Sequence, residues 1–346
     1  MKKLILILIA LCSTIVTSYS AEIVWTGNSS SDWHQASNWQ GGSVPGANDV
    51  AVFTYTSIVN AEITSNISIS GLRIEAGYLG RITQSAGTIT IGSFGFTQSG
   101  GSFVGGSNAI TISGSFSQDG GFFTATSGVT TISGFSVAVT AGVFNANNGT
   151  VLKTGGTAIW NITQPINHLQ VSMQGNFTTN TLVVLGNVIV TGWNTQHGII
   201  EVHGNYTTTF ATQSTSTGII VFKGSADQLL SANGGVGCVP SIEVNKSGGI
   251  LSVNDTINVL LDWVNISSGT NVNVSNAEIR FVYENDITSN GMVFNNITVS
   301  CPGWFRAVDK MTITGLAKFN SFNVVHGLIE TSGDVLMADV SQSTSS

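Results

Sequence analysis

A motif returns about every twenty residues along part of this chain, and few folds accommodate that. Thr97-Gln98-Ser99-Gly100-Gly101-Ser102-Phe103 comes back as Ser117-Gln118-Asp119-Gly120-Gly121-Phe122-Phe123, and more loosely as Ala138-Val139-Thr140-Ala141-Gly142-Val143-Phe144. Between these copies, Ile110-Thr111-Ile112-Ser113-Gly114-Ser115-Phe116 is echoed by Thr131-Ile132-Ser133-Gly134-Phe135. A period near twenty is one winding of a solenoid, made of short strands joined by turns. Apolar and polar residues alternate within each piece, as a strand with one buried face requires. The glycine pairs mark corners where the backbone needs positive φ or close approach. An earlier, imperfect copy is read from Gln84.

From about residue 149 the repeat is expected to lengthen. Ile166-Asn167-His168-Leu169-Gln170-Val171-Ser172 matches Phe294-Asn295-Asn296-Ile297-Thr298-Val299-Ser300, and His197-Gly198-Ile199-Ile200-Glu201 matches His326-Gly327-Leu328-Ile329-Glu330. A middle copy is read at Ser241-Ile242-Glu243-Val244-Asn245. Each longer unit is expected to hold about three coils. No helical spacing persists over ten residues. The expected fold is all-β: a right-handed parallel β-helix or solenoid with an N-terminal cap, running about twelve coils and ~60 Å from residue 85 onward.

The charge content supports this. Asp, Glu, Lys and Arg make up 8% of residues, against about 25% in ordinary globular domains. Stacked coils bring like residues within ~4.8 Å of each other, where a column of one charge would repel itself. Ser, Thr and Asn columns avoid that and can hydrogen-bond along the stack. Setting aside Lys2 and Lys3, 9 basic residues face 18 acidic ones. No basic patch exists to attract nucleic acid.

Residues 1–20 read as an export signal: Lys2 and Lys3, an apolar run from Leu4 to Leu11, then small residues ahead of a cut before Ala21. A lipoprotein reading on Cys12 is weakened by Leu11, where a small residue is wanted. After removal of the signal no stretch is long enough to span a bilayer. The mature chain is expected outside the cell, secreted or at the cell surface. There Cys238 and Cys301 either pair or serve as two small buried side chains.

Residues 21–60 form a Trp-rich segment, expected to cap the solenoid's first edge. Residues 61–148 carry the short repeat, 149–340 the longer one, and 341–346 a polar tail. The string Trp25-Thr26-Gly27, Asp32-Trp33, Ala36-Ser37-Asn38-Trp39, Gly41-Gly42, Val44-Pro45-Gly46 and Asp49-Val50-Ala51-Val52-Phe53 resembles the N-terminal caps of bacterial secreted β-strand-repeat proteins. These are similar to autotransporter passengers. The resemblance covers about thirty residues and implies a parallel β-helix in a surface protein, but no ligand. No cell-wall sorting signal, terminal hydrophobic helix or membrane barrel is read, so the chain is expected to be released or to belong to a longer protein.

β-Helices also carry polysaccharide lyases and hydrolases, whose sites need clustered carboxylates, often with Arg or Lys. The nearest candidate is Glu284 and Asp286 with Arg280 close by; the competing reading is a solvated turn. His197, His203 and His326 invite a metal, but the matched copies lie coils apart and suggest turn roles. No calcium loop, phosphate loop or catalytic motif is found, so no catalytic residue, cofactor or metal is expected. Trp160, Trp193, Trp263 and Trp304 are candidate contact aromatics, either exposed platforms or core rings, with the core reading favoured. The expected function is an extracellular structural or adhesive module making multivalent contacts with cell-surface glycans or matrix proteins, with end-to-end self-association a further expectation. The alternative is a carbohydrate-active enzyme on a β-helix.

Overall fold

The computed structural model describes residues 20–338, except 156–157, 173–174, 193, 212–215 and 321–323. The expected signal and polar tail therefore lie outside the described residues, apart from Ser20. The chain winds into a parallel β-solenoid of about 13 turns, with no α-helix among the described residues. At ~4.8 Å per turn the stack is about 60 Å long.

Each full winding lays down three strand segments, so the stack has three faces, each a parallel sheet. Face 1 stacks residues 67–69, 89–91, 110–112 and 130–132. Face 2 follows with residues 71–74, 95–98 and 116–118, and face 3 with 81–84, 102–104 and 122–124. The strands Ile67–Ile74 and Ile89–Gln98 run from face 1 into face 2, and Phe116–Thr124 runs from face 2 into face 3. At the corner between faces 2 and 3, Gly121 has φ +67, and a Cβ there would sit 2.3 Å from the Gly100 carbonyl oxygen. Only glycine satisfies both demands.

The short period is the register of the stack. Phe96 pairs with Phe116, and Phe103 with Phe123. Their rings stack at 5.0 Å and 5.1 Å between centroids, within 4° and 9° of parallel. Phe144 extends the second column at 5.4 Å. Inward positions are thus filled winding over winding, and burying each such ring contributes roughly 1.5–3 kcal/mol.

Polar interior groups fasten the corners. Gln98 and Gln118 are fully buried register partners. The Gln98 amide donates to the Gly100 carbonyl at 3.0 Å and to the Phe122 carbonyl of the next winding at 3.1 Å. Gln118 repeats this one turn on, donating to Val143 at 3.0 Å. The corner before face 1 is tied by outer side chains that accept a backbone N–H from the next winding. Asn66 takes Thr88, His168 takes Asn187, Asn187 takes Asn205, Asn205 takes Leu229 and Asp227 takes Ile250, all at 2.8–2.9 Å.

The first edge is covered. Strand Glu22–Val24 pairs in parallel with Val50–Phe53, extending face 2 by one strand. Trp25, Trp33 and Trp39 are buried against one another and against Phe53, with ring centroids 4.7–5.8 Å apart. Asn38 knots the loop above them: its Oδ1 accepts from Ser29 and Ser30, and its Nδ2 donates to the Asp32 carbonyl at 2.8 Å.

Two repeat readings are corrected. Gln84 does not begin an earlier copy one winding before Gln98; that place is held by Ile74. Gln84 ends a face 3 strand and does the same job at a different corner, donating to Gly87 and accepting from Gly106. Beyond residue 149 register partners stay about twenty residues apart, from the tight Val188↔Tyr206 to the looser Trp263↔Ile287, and the segments matched between the expected longer units do not occupy matched places. The matched segments fall on different faces. Leu169 lies on face 1, Ile242 on face 3 and Ile297 on face 2, while His197 lies on face 2 and His326 on face 3. Alternation with one buried side recurs on every face, so local similarity does not report which face a strand occupies.

Candidate functional site

The alternation that builds the core also decides which side chains reach the surface. In Trp263-Val264-Asn265 the odd positions point inward, so Trp263 is fully buried and meets Phe294 edge-on at 5.8 Å. Trp160 is likewise in the core, 2% exposed. Neither offers a ring face to a ligand. Trp193 lies outside the described residues. Trp304 is the one that faces outward: in Trp304–Ala307, Phe305 and Ala307 point in while Trp304 and Arg306 point out. The Arg306 guanidinium carbon sits 5.5 Å from the Trp304 ring centroid, close enough for a cation–π contact.

Around Arg306 the outer side of face 3 gathers a charged row. Arg306 Nε donates to Asp286 Oδ1 at 2.8 Å, and Nη2 completes a two-pronged pair with Oδ2. One winding earlier, Asp262 Oδ1 accepts the Asp286 backbone N–H at 2.9 Å. Partial burial, with the neighbouring Asp286 carboxylate, raises the Asp262 pKa above its ordinary value. The sequence pointed to this neighbourhood through Glu284 and Asp286 but chose the wrong arginine. Arg280 is on face 2, where its Nη2 donates to Glu278 at 2.8 Å. Glu284 precedes the strand Asn285–Thr288 and is exposed, its carboxylate over Gly303. Arg306 comes from one winding downstream, the kind of partner that only the winding register reveals.

Chemically, Asp286 is consumed by its arginine and Asp262 holds a backbone N–H. Glycoside hydrolysis needs two carboxylates flanking a substrate bond, one kept protonated and the other free to attack or to activate water. This row instead resembles a surface ion pair, weakened by the solvent that screens it. Other charges are matched the same way. Glu201 accepts from Lys223 at 2.7 Å and pairs with His203 at 2.8 Å, and Lys310 pairs with Glu330 at 2.6 Å. His197 Nδ1 lies 2.8 Å from the Thr217 hydroxyl, and His326 is in register with Arg306. The three histidines do not converge. Cys238 and Cys301 are both buried thiols and form no disulfide, and burial pushes the Cys301 thiol up to about 12.

Two buried lysines escaped the sequence reading. Lys153 is fully buried at an inward position of face 1, and its ammonium donates to the Gly155 carbonyl. Burial pushes it down to about 8. Lys246 is anchored inside by the Ala226 carbonyl at 2.8 Å and Gln228 Oε1 at 2.7 Å, and burial lowers its pKa as well. The only available signal was strand alternation in Thr150–Lys153, which places Lys153 on the same side as Val151.

Surface concavities lie away from the charged row. One, near the capped end, is lined by Glu22, Arg73 and Phe94, with Arg73 and Glu22 in an ion pair; a shallower one beside it shares Phe94. Another, on face 1, is lined by the polar Thr270, Asn273, Ser275, Asn295 and Thr314 and by the apolar Val272, Val274 and Val293, and contains no ionisable side chain. Among the described residues no helix is long and apolar enough to cross a membrane. Compared with protein-family models, curated proteins and solved structures, the chain matches none.

Proposed function

We propose that this protein is an extracellular structural or adhesive rod, secreted or held at a cell surface, that makes multivalent contacts with surface glycans or matrix proteins. One observation carries the reading: on face 1 an outward row of neutral hydroxyl side chains, Ser68, Thr90, Thr111 and Thr131, repeats from winding to winding of the stack. Such a face offers many identical weak contacts at fixed spacing, and weak contacts that engage together gain in avidity. The Trp-rich cap and the apolar leader favour a bacterial surface protein. Asp286 and Asp262 beside Arg306 are engaged with partners, which favours a binding role over catalysis.

The test screens the purified chain on glycan and matrix-protein arrays, beside a general polysaccharide-degradation assay. Retention on one class of polymer without product release is the expected result. Turnover of any polysaccharide would replace this reading with that of a carbohydrate-active enzyme on a β-helix.

A further inference from the structure

Among the described residues the ladder of face 1 is interrupted once, near the distal end. The strand Val272–Phe281 pairs upward with Leu251–Val259, through Leu251↔Val272 and Ser252↔Asn273. Downward, its first residues make no ladder with Val293–Phe294. That strand instead begins a separate three-stranded sheet with Met311–Ile313 and Ile329–Thr331. Elsewhere on this face successive windings are hydrogen-bonded strand to strand; here the backbone edges of residues 272–274 and 293–294 face each other across a break. The neutral concavity sits on this break.

Both ends of the break are pinned. At one end Gly269 lies against Gly291, where a Cβ would come within 2.3 Å of the Gly291 carbonyl carbon. At the other, Asn295 Nδ2 donates to the Ser275 carbonyl at 2.7 Å. An inserted peptide strand would need to sit ~4.8 Å from each neighbour, and the pinned ends deny it that room. The wall supplies amides, hydroxyls and unladdered backbone groups beside the apolar Val272, Val274 and Val293. Asn273 Oδ1 holds the Ser275 N–H at 3.0 Å, and Thr314 donates to the Phe294 carbonyl at 3.3 Å. A charged ligand finds no counter-charge here, and a wholly apolar one would cover Val272, Val274 and Val293 but leave the amides and hydroxyls beside them unmatched. Vicinal sugar hydroxyls, each both donor and acceptor, match what the wall presents.

We infer that this interruption is a binding site for a short segment of an uncharged saccharide, held by Asn273, Ser275, Asn295 and Thr314. The inference deepens the adhesive reading and rests on it: the site would give one defined foothold within a face otherwise making diffuse contacts.

The experiment titrates the full chain with soluble neutral gluco-, xylo- and galacto-oligosaccharides, with an acidic oligogalacturonate and with an extended Ser/Thr-rich peptide, by calorimetry and ligand-observed NMR. At least one neutral oligosaccharide is expected to bind. The exposed double variant Asn273→Ala/Ser275→Ala is expected to weaken that binding about tenfold or more, corresponding to about 1.4 kcal/mol. Thr314→Lys, which fills the groove, is expected to abolish it. Thr111→Ala, on the same face many windings away, is expected to bind as the parent does. Circular dichroism checks that each variant keeps its strand content, and the Lys variant offers a second route should the double variant fold poorly. The site is refuted if no neutral oligosaccharide binds, if only the acidic sugar or the peptide binds, or if groove variants retain parental affinity. A chain that still adheres to glycans with the groove variants unaffected would sink this site and leave the adhesive reading standing, whereas polysaccharide turnover would sink the adhesive reading itself.

Discussion

At the scale of the residue, position on a strand decides everything about a side chain here. Phe123 sits between Phe103 and Phe144 in a stacked column and is 1% exposed. Replacing it with Ala leaves a ring-sized cavity that rigid strands cannot close. Phe123→Ala is therefore expected to cost about 3–5 kcal/mol, read by urea unfolding. Lys153 gives a pH-dependent counterpart. Its folded amine titrates at about 8 and the unfolded one at its ordinary 10.5. Between these values the unfolded chain binds more protons, so this lysine makes stability rise with pH across that window, while its burial penalty is fully present below pH 8. Cys301 acts in the opposite sense from about pH 9, since the unfolded thiol ionises first. Comparing the parent with Lys153→Met isolates the lysine. The variant is expected to melt higher at pH 7, with the gap closing toward pH 10.5; a gap independent of pH would show that Lys153 is not buried as a charge. Much of this was legible in the sequence. Alternation in Trp304–Ala307 sets Trp304 on the side of Arg306 and opposite Phe305 and Ala307, and alternation in Trp263–Asn265 fits one buried side. What alternation cannot say is which side is buried: Trp263-Val264-Asn265 buries a polar Asn265 along with its tryptophan.

At the scale of the element, the repeat was readable where neighbouring windings carry the same side chains in the same register, as in the phenylalanine and glutamine columns. It became misleading past residue 149. There the windings differ in length, as the pairs Val188↔Tyr206 and Trp263↔Ile287 show, and similar strands recur on different faces, so matched words no longer mark matched places. Arg306 reached Asp286 for the same reason unseen: their contact depends on winding length, which no local motif encodes. Element boundaries should respond to insertion accordingly. One residue added inside Ile110–Ile112 shifts every following side chain to the opposite side and buries polar groups. One residue added beside Gly234, whose Cβ position meets nothing within 4 Å, lengthens an open turn. Hydrogen exchange is expected to show lost protection around residues 110–132 for the first and near-parental protection for the second. Equal damage from both would mean that the turns, not the strand register, hold the stack.

At the scale of the whole molecule, the capped first edge and the stacked windings describe a rod whose length follows from the number of windings and not from the number of residues. That distinction is what the adhesive reading needs, because fixed spacing between like contacts exists only if the windings stack. Spin labels at Ser68→Cys and Thr207→Cys test it directly. The two positions are far apart along the chain but sit in one outward row, joined through Thr90, Thr111, Thr131, Leu152, Gln170 and Ile189 by successive register pairs. Seven windings at ~4.8 Å place the backbones about 34 Å apart. A pulsed electron-spin measurement on the intact chain is expected to return one narrow distance distribution near that value, with labels moved inward to Thr90→Cys shortening it by about one winding. A broad distribution, or a distance that does not step with the winding, would contradict the stacked architecture and every surface argument built on it.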